Sequence, residues 1–158
     1  MRFLWFGKKK AAPAVEVEVV REPQEVYSVT GFICETNPMS GAKNTELRAD
    51  TINSMILSVL SHASSPSDIA AQEFLQERGA IVLPTSDYSF SAERGFCARV
   101  SDEGVTRTVL LGSPEVIARA TTPFCKDIAA AVSENPDCLV VAIDGIAYAS
   151  FGITKELV

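Results

Sequence analysis

A chain of 158 residues with 47% hydrophobic content can bury one sizeable core and has no room for two full domains. Its 14 basic and 20 acidic residues give a net charge of −6, which offers no counterion-releasing surface to a phosphate backbone and argues against nucleic acid as a partner. Cys34, Cys97, Cys125 and Cys138 lie far apart with no C-x-x-C pair, and the one histidine, His62, cannot build the usual zinc sites with them, so no metal is expected.

No apolar run approaches the roughly 20 residues needed to cross a bilayer, and the charge-then-apolar order of a signal peptide is absent. The chain therefore reads as cytoplasmic, with reduced cysteines. Its first ten residues, MRFLWFGKKK, set Phe3, Leu4, Trp5 and Phe6 beside Lys8, Lys9 and Lys10. That combination suits either contact with an anionic membrane surface or, the preferred reading, a disordered or loosely docked terminus. Residues 11 to 25 alternate Val and Glu between Pro13 and Pro23, as an extended linker or edge strand would. The division expected is a flexible segment over residues 1–25 and a folded domain over 26–158.

Val26 to Cys34 is rich in β-branched and aromatic residues and predicts a strand, followed by a polar loop through Asn37, Pro38, Gly41 and Asn44. The period then becomes helical. Asp50 is the expected N-cap, and Ile52, Met55, Ile56, Val59 and Leu60 make one apolar stripe. Ser65-Pro66 predicts a second helix, capped by serine, opened by proline, running to Arg78 and stopped by Gly79. Short strands are expected at Ala80–Leu83, Gly95–Val100, Val105–Leu111, Leu139–Ile143 and Ile146–Phe151, with turns at SDEG and at Asp144-Gly145. Ser113-Pro114-Glu115 and Thr122-Pro123 repeat the cap-then-proline helix start; Phe124, Ile128, Ala131 and Val132 form the buried face of the second of these helices. The fold class that follows is α+β, with a mostly antiparallel sheet flanked by helix hairpins.

Four landmarks carry a resemblance. ASSP (63–66) followed by DIAAQEFLQERG resembles the S-E-H-P motif and glycine-stopped helix of the nucleotide-binding (N) domain of P-type cation-transporting ATPases, heavy-metal-transporting branch. SFSAERGF (89–96) is similar to that family's phenylalanine and G-x-G-V turn, VLLGSPEVI (109–117) to its strand, glycine and helix, and CLVVAIDGIAYASFGITKEL to its closing hairpin. The segment VYSVTGFICETNP (26–38) resembles the end of the family's D-K-T-G-T-L-T phosphorylation loop, with Ser28 where the aspartate belongs and Val29 for the lysine.

The resemblance implies a degenerate, stand-alone N-domain. An acyl-phosphate requires a carboxylate nucleophile, and Ser28 offers a hydroxyl with no activating base in view. The sequence read here reaches Val158 without the family's acidic magnesium-binding loops, so no pump chemistry is expected. For nucleotide, the matching positions are Ser64 for the motif's glutamate, Ser65 for its histidine, Glu93 for the first glycine of the turn and Gly95 for the second, with Gly112 at the following turn. Loss of one base–aromatic stack weakens binding by about 1–3 kcal/mol, and a carboxylate at Glu93 repels phosphate if it points inward. Against these readings stand plain ones. Ser64 and Ser65 suit a helix cap and Gly95 and Gly112 suit tight turns, while His62, three residues before Ser65, offers a substitute ring but is read in preference as capping or packing at the end of the first helix. The expected function is a binding or regulatory module for a protein partner, with weak or lost ATP or ADP binding. The alternative is an ATP/ADP sensor with a rebuilt pocket.

Overall fold

The computed structural model describes residues 23–40 and 45–158. The segment MRFLWFGKKK, the Val/Glu stretch up to residue 22, and loop positions Gly41 and Asn44 lie outside the described residues. Among the described residues, six strands make one sheet accompanied by four helices, in the order β1 (Glu25–Cys34), α1 (Ala49–Leu60), α2 (Pro66–Glu77), β2 (Thr85–Ser91), β3 (Gly95–Asp102), β4 (Val105–Gly112), α3 (Pro114–Ala118), α4 (Lys126–Glu134), β5 (Leu139–Ile143) and β6 (Ile146–Leu157). The spatial order is β1-β6-β5-β4-β3-β2, and every pairing is antiparallel. The α+β class expected from the sequence is the one observed.

The sheet lies between two helix pairs. All five residues of the α1 stripe are buried, and they meet Ala98, Val100, Val109, Leu111, Val141 and Ile143 on one face. Each large aliphatic side chain so buried contributes about 1.5–3 kcal/mol relative to exposure. A smaller core on the other face joins Ile117 of α3 and Ile128 of α4 to Val140, Ala142 and Ala147. Successive residues of β5 thus enter opposite cores, which is why Leu139–Ile143 is uniformly apolar rather than alternating. The β5–β6 turn at Asp144-Gly145 is fastened to β4: the Asp144 carboxylate accepts from the Thr108 N–H at 3.0 Å and from the Arg107 guanidinium at 2.9 Å.

Several boundaries differ from the sequence expectations. Asp50 is not the N-cap. The helix starts at Ala49 with Arg48 as an extended capping residue, and Asp50 sits in the first turn, where its carboxylate accepts from the Thr51 N–H and from Arg48. Ala80–Leu83 is not a strand either, because its backbone donors are taken by the helices: Ala80 N–H bonds the Leu75 carbonyl of α2 at 3.1 Å, Ile81 N–H bonds Ser54 Oγ of α1 at 3.1 Å and Leu83 N–H bonds Ser58 Oγ of α1 at 2.7 Å. The strand in this region is β2, which begins at Thr85. Thr122-Pro123 does not open α4, whose N-cap is Cys125. The Thr122 N–H is held by the Gly145 carbonyl at 3.0 Å, leaving Phe124 to enter the smaller core from outside the helix. β6 runs past Phe151 to Leu157 because β1 pairs with it along that length.

Candidate ligand-binding corner

The α1–α2 turn, strand β2 and the start of β3 converge at one end of the larger core. The turn is rigidly tied. Gln72 of α2 reaches back to donate to the carbonyls of Leu60 (2.6 Å), which also accepts from the Ala63 N–H, and of Ala63 (3.0 Å). Ser65 is extended and caps α2, its Oγ accepting from the Asp68 N–H at 3.2 Å, while the hydroxyl donates to the Asp68 carboxylate at 2.6 Å. Ser64 is exposed beside it.

His62 follows the C-cap of α1, and its Nε2 lies 2.6 Å from Thr85 Oγ1 at the start of β2. Its ring stacks on Tyr88, with centroids 4.5 Å apart and planes 24° from parallel. Ring contacts continue across the sheet: Tyr88 to Phe96 at 6.3 Å, and Phe96 to Phe90 at 4.7 Å. Phe90 is 60% exposed, so this aromatic row ends in an open ring face. Burial, and secondarily the Asp68 charge, pushes the Tyr88 hydroxyl above its ordinary pKa, so the phenol is neutral at physiological pH.

Tyr88 reaches this position through a bulge. The β2–β3 register shifts between Ser86 and Ser89, and Asp87 has φ +54°, a left-handed conformation that non-glycine residues seldom adopt.

Of the residues singled out in the sequence, Gly95 and Gly112 meet directly. A Cβ on Gly95 would lie 2.4 Å from the Leu111 carbonyl oxygen and 3.1 Å from Gly112 Cα, and Gly95 has φ +74°. The close approach of β3 to β4 therefore requires this glycine. Glu93 lies exposed in the turn between β2 and β3. Ser64 and Ser65 follow His62 in the α1–α2 turn, and it is His62, through Tyr88, that reaches Phe96, the neighbour of Gly95. Ser28, aligned with the family's phosphorylated aspartate, is within β1 and shares a 2.8 Å hydrogen bond with Thr154 of β6. Tyr88 and Phe96 were not anticipated. The only sequence signal for Tyr88 is its alternation with Phe90 in an otherwise polar TSDYSFS, and Phe96 stands only as an apolar residue of the expected Gly95–Val100 strand.

Among the described residues, no group of three or more His, Cys, Asp or Glu side chains could hold a metal ion, and no helix is long and apolar enough to cross a membrane.

No protein-family model matches the chain. No curated protein matches it either. Solved structures do. The chain is similar to the N-domain of HMA6, a copper-transporting P-type ATPase, with TM-score 0.59 and 16% identity over 81% of this chain and 98% of that one. It is similar to the N-domain of HMA8, also a copper-transporting P-type ATPase, with TM-score 0.54 and 16% identity over 80% and 99%. A zinc-transporting PIB-type ATPase in its E2.Pi state matches with TM-score 0.54 and 15% identity, over 84% of this chain and 20% of the pump. The described residues thus have the fold of the N-domain of heavy-metal-transporting (PIB-type) P-type ATPases.

Proposed function

We propose that this chain is a non-catalytic, N-domain-like binding or regulatory module in which nucleotide contact is weak or lost. The observation that carries the reading is the state of Ser65. At the position matched to the family's base-stacking histidine stands a hydroxyl with no ring to offer, engaged in capping α2. Loss of one base–aromatic stack corresponds to about 1–3 kcal/mol, or roughly ten- to hundredfold in affinity. The exposed carboxylate of Glu93, in the turn matched to the family's G-x-G, adds negative charge that would repel an approaching phosphate chain. The hydroxyl of Ser28, hydrogen-bonded to Thr154 within a paired strand, is unsuited to forming an acyl-phosphate.

A protein partner is the ligand that this reading leaves for the module, and the cytoplasm is the compartment it suits. The domain responsible spans residues 26–158. A second reading, an ATP or ADP sensor with a rebuilt pocket around Ser64, Ser65, Glu93, Gly95 and Gly112, is favoured by the open face of Phe90, on which a base could stack.

Equilibrium binding of ADP and ATP by calorimetry, beside a phosphate-release assay, tests the first reading. Dissociation constants in the millimolar range or beyond, with no phosphate release above buffer, are expected. A low-micromolar constant would replace it with the sensor, and turnover would overturn the non-catalytic assignment.

A further inference from the structure

We propose that Tyr88 is a built-in occupant of the corner, its ring taking the stacking face of His62 that a purine base would otherwise use, so that nucleotide enters only when Tyr88 leaves. The proposal rests on the reading of this corner as the remnant of a nucleotide contact and names how that contact is closed. Three observations carry it.

The first is geometry. Among the described residues the His62–Tyr88 pair is the near-parallel ring contact, at 24°, whereas Phe32–Phe74, Phe32–Phe151, Tyr88–Phe96 and Phe90–Phe96 are tilted by 35° to 51°. Near-parallel stacking is also how aromatic side chains receive bases. The second is anchoring. His62 Nε2 is 2.6 Å from Thr85 Oγ1, three residues before Tyr88 on the same strand, so β2 both positions the imidazole and covers it.

The third is the backbone. Asp87 has φ +54° inside a β-bulge, a left-handed conformation that aspartate tolerates better than most residues and that accommodates the extra residue there. Bulges re-aim side chains next to binding sites. Here the bulge places Asp87 and Tyr88 in the interval between the Ser86–Arg99 and Ser89–Cys97 pairs, and Tyr88 packs against the larger core beside α1. A β2 without the bulge would alternate differently from this point and could not offer the same ring to His62.

The test uses the full chain and ADP as the probe, with the proton resonances of the His62 ring as reporter, because the chain has one histidine and its signals stand alone. Tyr88→Phe keeps the ring and should bind ADP as the unaltered chain does. Tyr88→Leu removes it and should bind roughly ten- to hundredfold more tightly, with the His62 ring protons losing the upfield shift that a stacked phenol imposes. Tyr88→Thr, a substitution suited to an edge strand, should behave as Tyr88→Leu does and stands in if that variant does not fold. Leu and Thr variants that fold by circular dichroism yet bind no more tightly would overturn the plug while leaving weak nucleotide contact intact. Tight binding by the unaltered chain would instead overturn the weak-contact reading, and the plug with it.

Discussion

Gly95 separates a structural requirement from a ligand requirement most cleanly. Replacing it with alanine places a Cβ 2.4 Å from the Leu111 carbonyl oxygen, a backbone atom that cannot swing aside, and does so at φ +74°. The left-handed conformation costs an L-residue about 1–2 kcal/mol, and forcing extra volume into a packed site adds about 1–3 kcal/mol. The sum, roughly 2–5 kcal/mol, corresponds to a melting-temperature loss of roughly 4–20 °C for a domain of this size. Two other glycines serve as references. Gly104 has φ +83° but nothing within 4 Å of its added Cβ, so Gly104→Ala should lose only the conformational part, about 1–2 kcal/mol. At Gly112 the new Cβ would sit 3.5 Å from Gly95 Cα and from Ile117 Cδ1, ordinary contact distances, so Gly112→Ala should be neutral or stabilising by up to about 1 kcal/mol. Thermal unfolding of the three variants by circular dichroism decides. If Gly95→Ala melts no lower than Gly104→Ala, or if Gly112→Ala is as damaging as Gly95→Ala, the close β3–β4 approach does not explain these glycines.

Ser58→Ala deprives the Leu83 N–H of its acceptor and should cost about 1–3 kcal/mol, read as a lower urea midpoint with an unchanged slope. An increased slope instead would place the effect in the compactness of the unfolded or native state. Burial, with a smaller contribution from Glu35, pushes the Cys34 thiol up to about 11. The raised value means that the folded state favours the protonated thiol, so this contribution to stability is complete below the ordinary thiol range and is lost as pH rises toward about 11. Alkylation at pH 8 followed by peptide mass mapping should therefore label Cys34 much more slowly in the folded chain than in urea; equal rates would refute the assignment. Thr85→Val removes the hydroxyl that lies 2.6 Å from His62 and should increase the mobility of its ring protons without unfolding the chain, as read by their linewidths and shifts.

Elements whose signals are local were legible in the sequence. The α1 stripe, the serine–proline starts of α2 and α3 and the Asp144-Gly145 turn depend on neighbours within a few residues, and each stands where the pattern placed it. The errors arose where distant partners decide. Ala80–Leu83 has a strand's composition, yet Ile81 and Val82 are 62% and 56% exposed and the Ile81 and Leu83 N–H groups bond to serines on α1, which no short pattern encodes. β2 was missed for the opposite reason: TSDYSFS is polar because it is an edge strand with much of its surface exposed.

The candidate corner was half legible. Ser65 as a cap follows from its own sequence neighbourhood. The His62–Tyr88 stack does not, because it joins separate elements and depends on a bulge at Asp87 that alternation rules do not anticipate.

The most direct measurement is a titration of isotopically labelled protein with ADP and ATP, with and without magnesium, following backbone amides by NMR. For an N-domain-like fold whose nucleotide contact has decayed, the expected result is small, non-saturating shifts at millimolar nucleotide, confined to the neighbourhood of Ser64, Ser65, Gly95 and Gly112, or none. Saturation at micromolar nucleotide, with shifts converging on the same corner, would contradict it and make the chain a working nucleotide sensor.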